Sequence, residues 1–296
     1  MISLIIACTV VLQAVGMALL ANSTGNYTND FAPLTAFEQR GSGPPIVLMH
    51  GAGGNALWFK PLSDALPGRH VIALDMPGHG GSADTSSWEM EDLAELVFKA
   101  VNRRASGKII WGGHSWGGKL AAMIAALHPE SAHSLLLLDP SSASGMAIPA
   151  EMLVDMMFTS ELGPWNSLDE AKDSARQLPQ YTNWNANLER AFERGVASGP
   201  DGKWRARISR ETLVAICAAI GRDHCAIVRK VACPTLFVVA DESLGWQEQS
   251  NFALIPHAAR VVIRSNHWLM SSNPAELHRA VSNWLSSADE RPAQTA

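Results

Sequence analysis

Lys108-Ile-Ile-Trp-Gly-Gly-His-Ser-Trp-Gly-Gly118 is the stretch on which the fold turns. A short apolar run, residues 109–111, leads into Gly113-x-Ser115-x-Gly117, and residues 119–127 then read as a helix. Strand, tight turn and helix in that order hold a serine on a strained corner. A β-carbon on either flanking glycine would collide with backbone, so Gly113 and Gly117 are what allow the corner to close. The Ser115 hydroxyl is pushed out above the sheet edge. The helix N-terminus then lies beneath any negative charge that develops there.

Outward from this corner, strand alternates with helix. Residues 46–49, 71–74, 134–138, 235–239 and 260–263 are short apolar runs of the buried-strand type. Leu93, Leu96, Val97, Ala100 and Val101 fall at helical spacing. Asn273-Pro274 opens a closing helix that runs to about Trp284, with Asn as N-cap and Pro in the first turn. This alternation implies an α/β protein: a mostly parallel, doubly wound sheet with helices on both faces and its chemistry at the carboxyl ends of the strands.

One segment interrupts the rhythm. From about 142 to 230 no strand run appears, and helical patterns cover residues 150–158, 167–177, 185–196 and 209–220. Inserted after a strand's carboxyl end, such a segment is expected to sit over the site as a helical cap. Its first helix carries Met146, Met152, Met156, Met157 and Phe158. Methionines at this spacing serve either as core or as an adaptable apolar wall, and Met156 is the candidate to touch a substrate.

Length and composition suit one α/β domain with an insertion or two small domains. Of 296 residues, 47% are hydrophobic and 17% charged. A net charge of −5 and the lack of any Lys/Arg run exclude nucleic acid as an expected partner. The four cysteines, Cys8, Cys217, Cys225 and Cys233, form no C-x-x-C pair, so neither a zinc site nor a disulfide framework is expected.

The N-terminus is a separate matter. Residues 2–21 are nearly all apolar, and the first charge is Asp30. A secretory signal followed by a polar linker (22–30) explains this, although a basic leader is missing and Leu19-Leu-Ala21 is a poor cleavage site. A membrane anchor is the alternative, since about 20 apolar residues span a bilayer. A docked segment or a misassigned start comes last. The sequons at Asn22 and Asn26 matter only in a secretory pathway. The expected layout is therefore an apolar segment and linker over 1–30, one domain over 31–286 with its cap, and a frayed polar tail over 287–296. The expected location is secreted or periplasmic, with membrane-anchored and cytoplasmic as alternatives; membrane contact is expected through the N-terminal segment only.

Further motifs stand at the strand ends: His50-Gly-Ala-Gly-Gly54, Asp75-Met-Pro-Gly-His-Gly-Gly-Ser82 and Ser265-Asn-His-Trp268. With the Gly113–Gly118 corner and the helical insertion, over roughly residues 35 to 286, the chain resembles the α/β-hydrolase superfamily. The resemblance implies a cofactor-free nucleophilic site. Ser115 is the nucleophile and needs a base to remove its proton. Of the ten histidines, His267 fits best, because it follows the last strand and the order is serine first, histidine last. His50 and His79 lie in glycine turns, and His114 is expected to point away from the pocket. The resemblance assigns the oxyanion donors to the Trp116 and Ala52 N–H groups, and Gly51 and Trp58 are expected to contact the substrate. Trp58, Trp116 and the methionines suggest an apolar or aromatic ester.

The histidine's acid is open. The superfamily most often supplies it three residues beyond a small turn residue, here Ala240, and that position is Ser243. Asp241 and Glu242 are near but out of register. The superfamily's other site, the end of the preceding strand, holds Asp139, which is favoured because a carboxylate there needs a partner. The reading is a serine hydrolase of an ester, lactone or related acyl bond. The alternatives are an acyltransferase, a carbon–carbon hydrolase, a cofactor-free perhydrolase, and a non-catalytic ligand-binding homologue. Epoxide hydrolases and haloalkane dehalogenases resemble this layout but carry aspartate where Ser115 stands.

Overall fold

The computed structural model describes residues 25–105 and 107–289. In chain order its elements begin with β1 (Asn26–Phe31), β2 (Leu34–Gln39), β3 (Ser42–Met49) and β4 (Arg69–Leu74). Helix α1 (Met90–Asn102), β5 (Ile109–His114), α2 (Trp116–Leu127) and β6 (Ala132–Leu138) follow. After an insertion come β9 (Thr235–Ala240), β10 (Ala259–Ile263) and a closing helix over Pro274–Asp289. The insertion holds α3 (Ala150–Met157), α4 (Leu168–Ala175), α5 (Ala186–Gly195), β7 (Val196–Ser198), β8 (Trp204–Ala206) and α6 (Arg210–Ile220), which makes the closing helix α7.

The sheet order is β1-β2-β4-β3-β5-β6-β9-β10. β1 and β2 are antiparallel additions, and β4 through β10 run parallel. Side chains alternate between two faces, each packed. In β3, Val47 and Met49 join the cluster under α1 and α2, while Ile46 and Leu48 join the cluster under α7. All four are fully buried, each worth about 1.5–3 kcal/mol. A sheet covered on both sides explains why its strands read as continuous apolar runs.

The insertion is mainly helical, and three of its four longer helices, α4, α5 and α6, start at a residue whose side chain caps them. Ser167 Oγ accepts the Glu170 N–H (3.1 Å), Asn185 Oδ1 the Leu188 N–H (3.2 Å) and Ser209 Oγ the Thr212 N–H (3.1 Å). Each such cap contributes about 1 kcal/mol. A few buried polar ties hold this layer to the sheet. Asn55 Nδ2 donates to the Ala191 carbonyl at 2.7 Å. Lys119 Nζ donates to the Ile220 and Arg222 carbonyls at 2.9 Å each, and burial lowers its pKa to about 8. Arg194 pairs with the fully buried Asp75.

Three sequence expectations need correction. The insertion is not wholly helical, because β7 and β8 form a short antiparallel pair; three-residue strands leave no periodic signal. The polar linker gives way to strand at Asn26, with β1 an edge strand exposed along most of its length, so it lacks apolar alternation. The closing helix runs to Asp289, past Trp284 and the expected start of the frayed tail. The apolar segment 2–21 and the tail beyond 289 lie outside the described residues. Among the described residues, no helix is long and apolar enough to cross a membrane.

Candidate active site

Strand register assembles the site. β5 pairs with β6 so that His114 lies opposite Leu138. The next residues, Ser115 and Asp139, therefore leave the sheet side by side at its carboxyl edge. The Ser115 N–H donates to the Leu138 carbonyl (3.2 Å) and the Asp139 N–H to the Val238 carbonyl (2.8 Å). Both residues have positive φ, 52° and 41°. L-residues rarely adopt that conformation, so it persists only where the surroundings impose it. At Ser115 the imposition is visible: a β-carbon on Gly117 would strike the Met49 carbonyl, and one on Gly113 the Gly117 carbonyl.

Asp139 is fully buried, and both its oxygens are occupied. Oδ2 accepts from His267 Nδ1 and Ser243 Oγ, each at 2.6 Å. Oδ1 accepts from Gln247 Nε2 (3.2 Å) and the Ala240 N–H (3.4 Å). These donors offset the cost of burying the carboxylate. With Nδ1 of His267 spent on Asp139, its Nε2 is left for the cleft that Ser115 and His267 both line. Asp241 is elsewhere. It is exposed, and its Oδ1 accepts the N–H groups of Ser265 (2.9 Å) and Glu242 (3.1 Å). Glu242 is exposed as well. Ser243, standing where a carboxylate was expected, serves as a donor to the carboxylate of Asp139.

Gly51 and Ala52 line the cleft, and the Ala52 and Trp116 N–H groups make no hydrogen bond among the described residues. Two buried histidines brace this loop. His50 Nδ1 donates to the Gly51 carbonyl (2.7 Å) and its Nε2 accepts the Met76 N–H (3.0 Å). His79 Nδ1 donates to the Pro77 carbonyl (2.8 Å) and its Nε2 accepts the Gly53 N–H (3.1 Å). Burial lowers His50 to about 4. Burial, then the neighbouring His50, lowers His79 to about 3. Both are neutral braces.

His114 does not point away. Its ring centroid lies 4.6 Å from that of His267, its Nε2 donates to the His267 carbonyl (2.8 Å), and it lines the cleft. Gly51 makes the room, since a β-carbon there would sit 3.0 Å from His114 Nδ1. Burial first, then His267, holds its pKa well below 6.5.

The cleft is narrow and partly open to solvent. Trp58 lines it, as do Met157, Phe158, Tyr181, Trp268 and Met270. Met156 does not: it is 71% exposed. One residue is about 100° of helix, enough to turn Met156 outward while Met157 reaches the cleft. The Trp116 side chain is also absent from the lining. It is fully buried, with its ring 6.5 Å from His50 and 5.8 Å from His79, so only its backbone is available to the site. Sequence reasoning missed Glu161, Gln180, Tyr181 and Met270 in the wall. None carries a local motif; the fold of the insertion brings Glu161, Gln180 and Tyr181 over Ser115, and Met270 comes from the short helix that follows His267. Among the described residues no group of three or more His, Cys, Asp or Glu side chains is arranged to hold a metal.

Comparison with known proteins agrees with this architecture. A family model described as the alpha/beta hydrolase fold matches residues 44–274. The pimeloyl-acyl-carrier-protein methyl ester esterase of Methylococcus capsulatus is 32% identical over 56% of this chain and 63% of its own length. Lipase LipV of Mycobacterium tuberculosis is 28% identical over 62% of this chain and 69% of its own. The chain thus matches about two thirds of each of these relatives. A crystal structure of E-2-(acetamidomethylene)succinate hydrolase superposes with a TM-score of 0.75 at 22% identity, covering 88% of this chain and 98% of that one. That likeness concerns the fold, while the named relatives support a hydrolase role.

Proposed function

Because the chain belongs to the alpha/beta hydrolase fold family, we propose that it is a serine hydrolase cleaving a carboxylic ester, lactone or related acyl bond through an acyl-enzyme on Ser115. One observation carries this reading. The His267 Nδ1 donates to the buried Asp139 at 2.6 Å, at the edge of a cleft also lined by a serine held at φ 52°. Ser115 Oγ attacks the carbonyl while His267 Nε2 takes its proton, and Asp139 orients and stabilises the resulting imidazolium. The Ala52 and Trp116 N–H groups receive the oxyanion. His267 returns the proton to the leaving alcohol, then activates the water that frees the acid. The side chains of Trp58, Phe158, Tyr181 and Trp268 favour an apolar or aromatic acyl or aryl group.

The test is stoichiometric labelling with a fluorophosphonate, mapped by mass spectrometry, together with turnover of p-nitrophenyl esters of rising chain length and of lactones. Labelling at Ser115, lost in Ser115→Ala along with turnover, is the expected result. Folded protein that neither labels nor turns over any ester is a binding module instead. Export or membrane attachment through residues 2–21 belongs to the same proposal, and the N-terminal sequence and fraction of the recovered protein test it.

A further inference from the structure

The cleft over Ser115 borders a second, small cavity beneath the cap. Gly53, Phe158, Glu161 and Tyr181 line both, so they form the wall between them. Beyond that wall the chamber is lined by apolar residues such as Trp165, Phe192 and Leu213 together with the polar Asn55 and Ser160. Two polar side chains in the cleft wall have no part in the serine chemistry. Glu161 ends the short turn after α3, and its Oε2 lies 3.9 Å from where a Gly53 β-carbon would stand, which sets it beside the oxyanion loop. Gln180 is only 4% exposed, and its Nε2 has no hydrogen-bond partner among the described residues. A buried amide donor without a partner is costly unless something occupies it. No lysine or arginine lines either cavity.

We propose that Glu161 and Gln180 form a recognition point for a neutral hydrogen-bond acceptor on the substrate, a ketone, amide or hydroxyl oxygen on an otherwise apolar arm that passes from Ser115 toward the second cavity. The inference deepens the serine-hydrolase reading and rests on it. Burial pushes the Glu161 carboxyl up to about 8, and the nearby Gln180 amide, which makes no well-formed hydrogen bond to it, offsets only part of the rise, so near neutral pH Glu161 is protonated and donates. Its O–H and the Gln180 N–H then offer two donors to one oxygen. A carboxylate on the same arm would enter a chamber with no lysine or arginine to receive it. A neutral Glu161 also places no negative charge beside the oxyanion loop.

The experiment uses the full chain at pH 7 and four p-nitrophenyl esters: hexanoate, 5-oxohexanoate, the ω-carboxylate and the ω-ammonium analogue. The readout is the ratio of kcat/KM between esters within each variant, in which any loss of folded fraction cancels. Wild type is expected to favour the oxo ester over hexanoate about ten-fold, the size of one well-made hydrogen bond to an otherwise unpaired donor, and to disfavour the carboxylate. Glu161→Leu and Gln180→Leu each erase the oxo preference, while Glu161→Gln, still a donor, keeps most of it. An unchanged ratio in Glu161→Leu overturns the inference, as does a wild-type preference for the ammonium or carboxylate ester. No turnover of any ester, with no labelling at Ser115, instead strikes the hydrolase reading and this inference with it.

Discussion

The carboxyl edge of the sheet and the cap above it are built on different principles. At the edge, position comes from backbone. Register sets Ser115 beside Asp139, and bracing histidines and glycines without room for a β-carbon hold the loop. In the cap, position comes from side chains on short helices, tied down at a few buried polar points such as Arg194–Asp75 and Asn55–Ala191. The difference suggests a division of labour. Reaction type belongs to the rigid layer, where a shift of one residue would dismantle the site. Substrate choice belongs to the cap, where the same shift only exchanges one lining side chain for another.

The largest effect that probes this contrast is at the edge. Ser115→Ala and His267→Ala should each lower kcat by about 10⁴-fold or more, Ser115→Ala with an unchanged melting temperature and His267→Ala with a lowered one, since it removes a donor from the buried Asp139. Asp139→Asn should follow, at about 10³–10⁴-fold, because it breaks the pair that sets the imidazole tautomer. Asp241→Asn should stay within about two-fold. Equal losses in Asp139→Asn and Asp241→Asn would undo the claim that register alone selects the acid.

Arg194→Ala tests the tie between layers. Desolvation raises the buried Asp75 carboxyl, but Arg194 and the Ala56 and Gly81 N–H groups outweigh it and leave the pKa lowered. Removing Arg194 strands that charge and should cost about 3 kcal/mol in urea unfolding. Acid should probe the braces. The folded pKa values of His50 (about 4) and His79 (about 3) lie below the ordinary 6.5. On acidification the unfolded chain takes up these protons first. Their stabilising effect is therefore full above 6.5 and is lost as pH falls through 6.5 toward 4 for His50 and toward 3 for His79, with His50 contributing about 3 kcal/mol. A flat urea midpoint between pH 7 and 5 would contradict neutral buried histidines. The smallest effect is in the cap: Met156→Ala should leave kcat/KM within about two-fold, whereas Phe158→Ala should raise KM several-fold.

Much of this was legible from local pattern, and the misreadings have common causes. The corner was legible because Gly113 and Gly117 meet a purely local steric demand. The preference for Asp139 followed from a carboxylate at the end of an apolar strand, which needs a partner wherever the chain goes. Met156 was misread because helical spacing identifies a face without its absolute phase. His114 was misread because its direction depends on Gly51, far away in sequence. β1 went unnoticed because an exposed edge strand carries no apolar alternation, and Glu161 and Gln180 because nothing near them in sequence marks them.

By itself the sequence determined the layered α/β architecture, the serine corner, the place of the insertion and the shortlist of partners. These depend on sterics and apolar periodicity within a few residues. Only the tertiary structure decided that Asp139 and not Asp241 meets His267, that His114 turns inward, and which cap residues face Ser115. Those choices depend on strand register, helix phase and contacts between segments more than a hundred residues apart, and no local pattern encodes them.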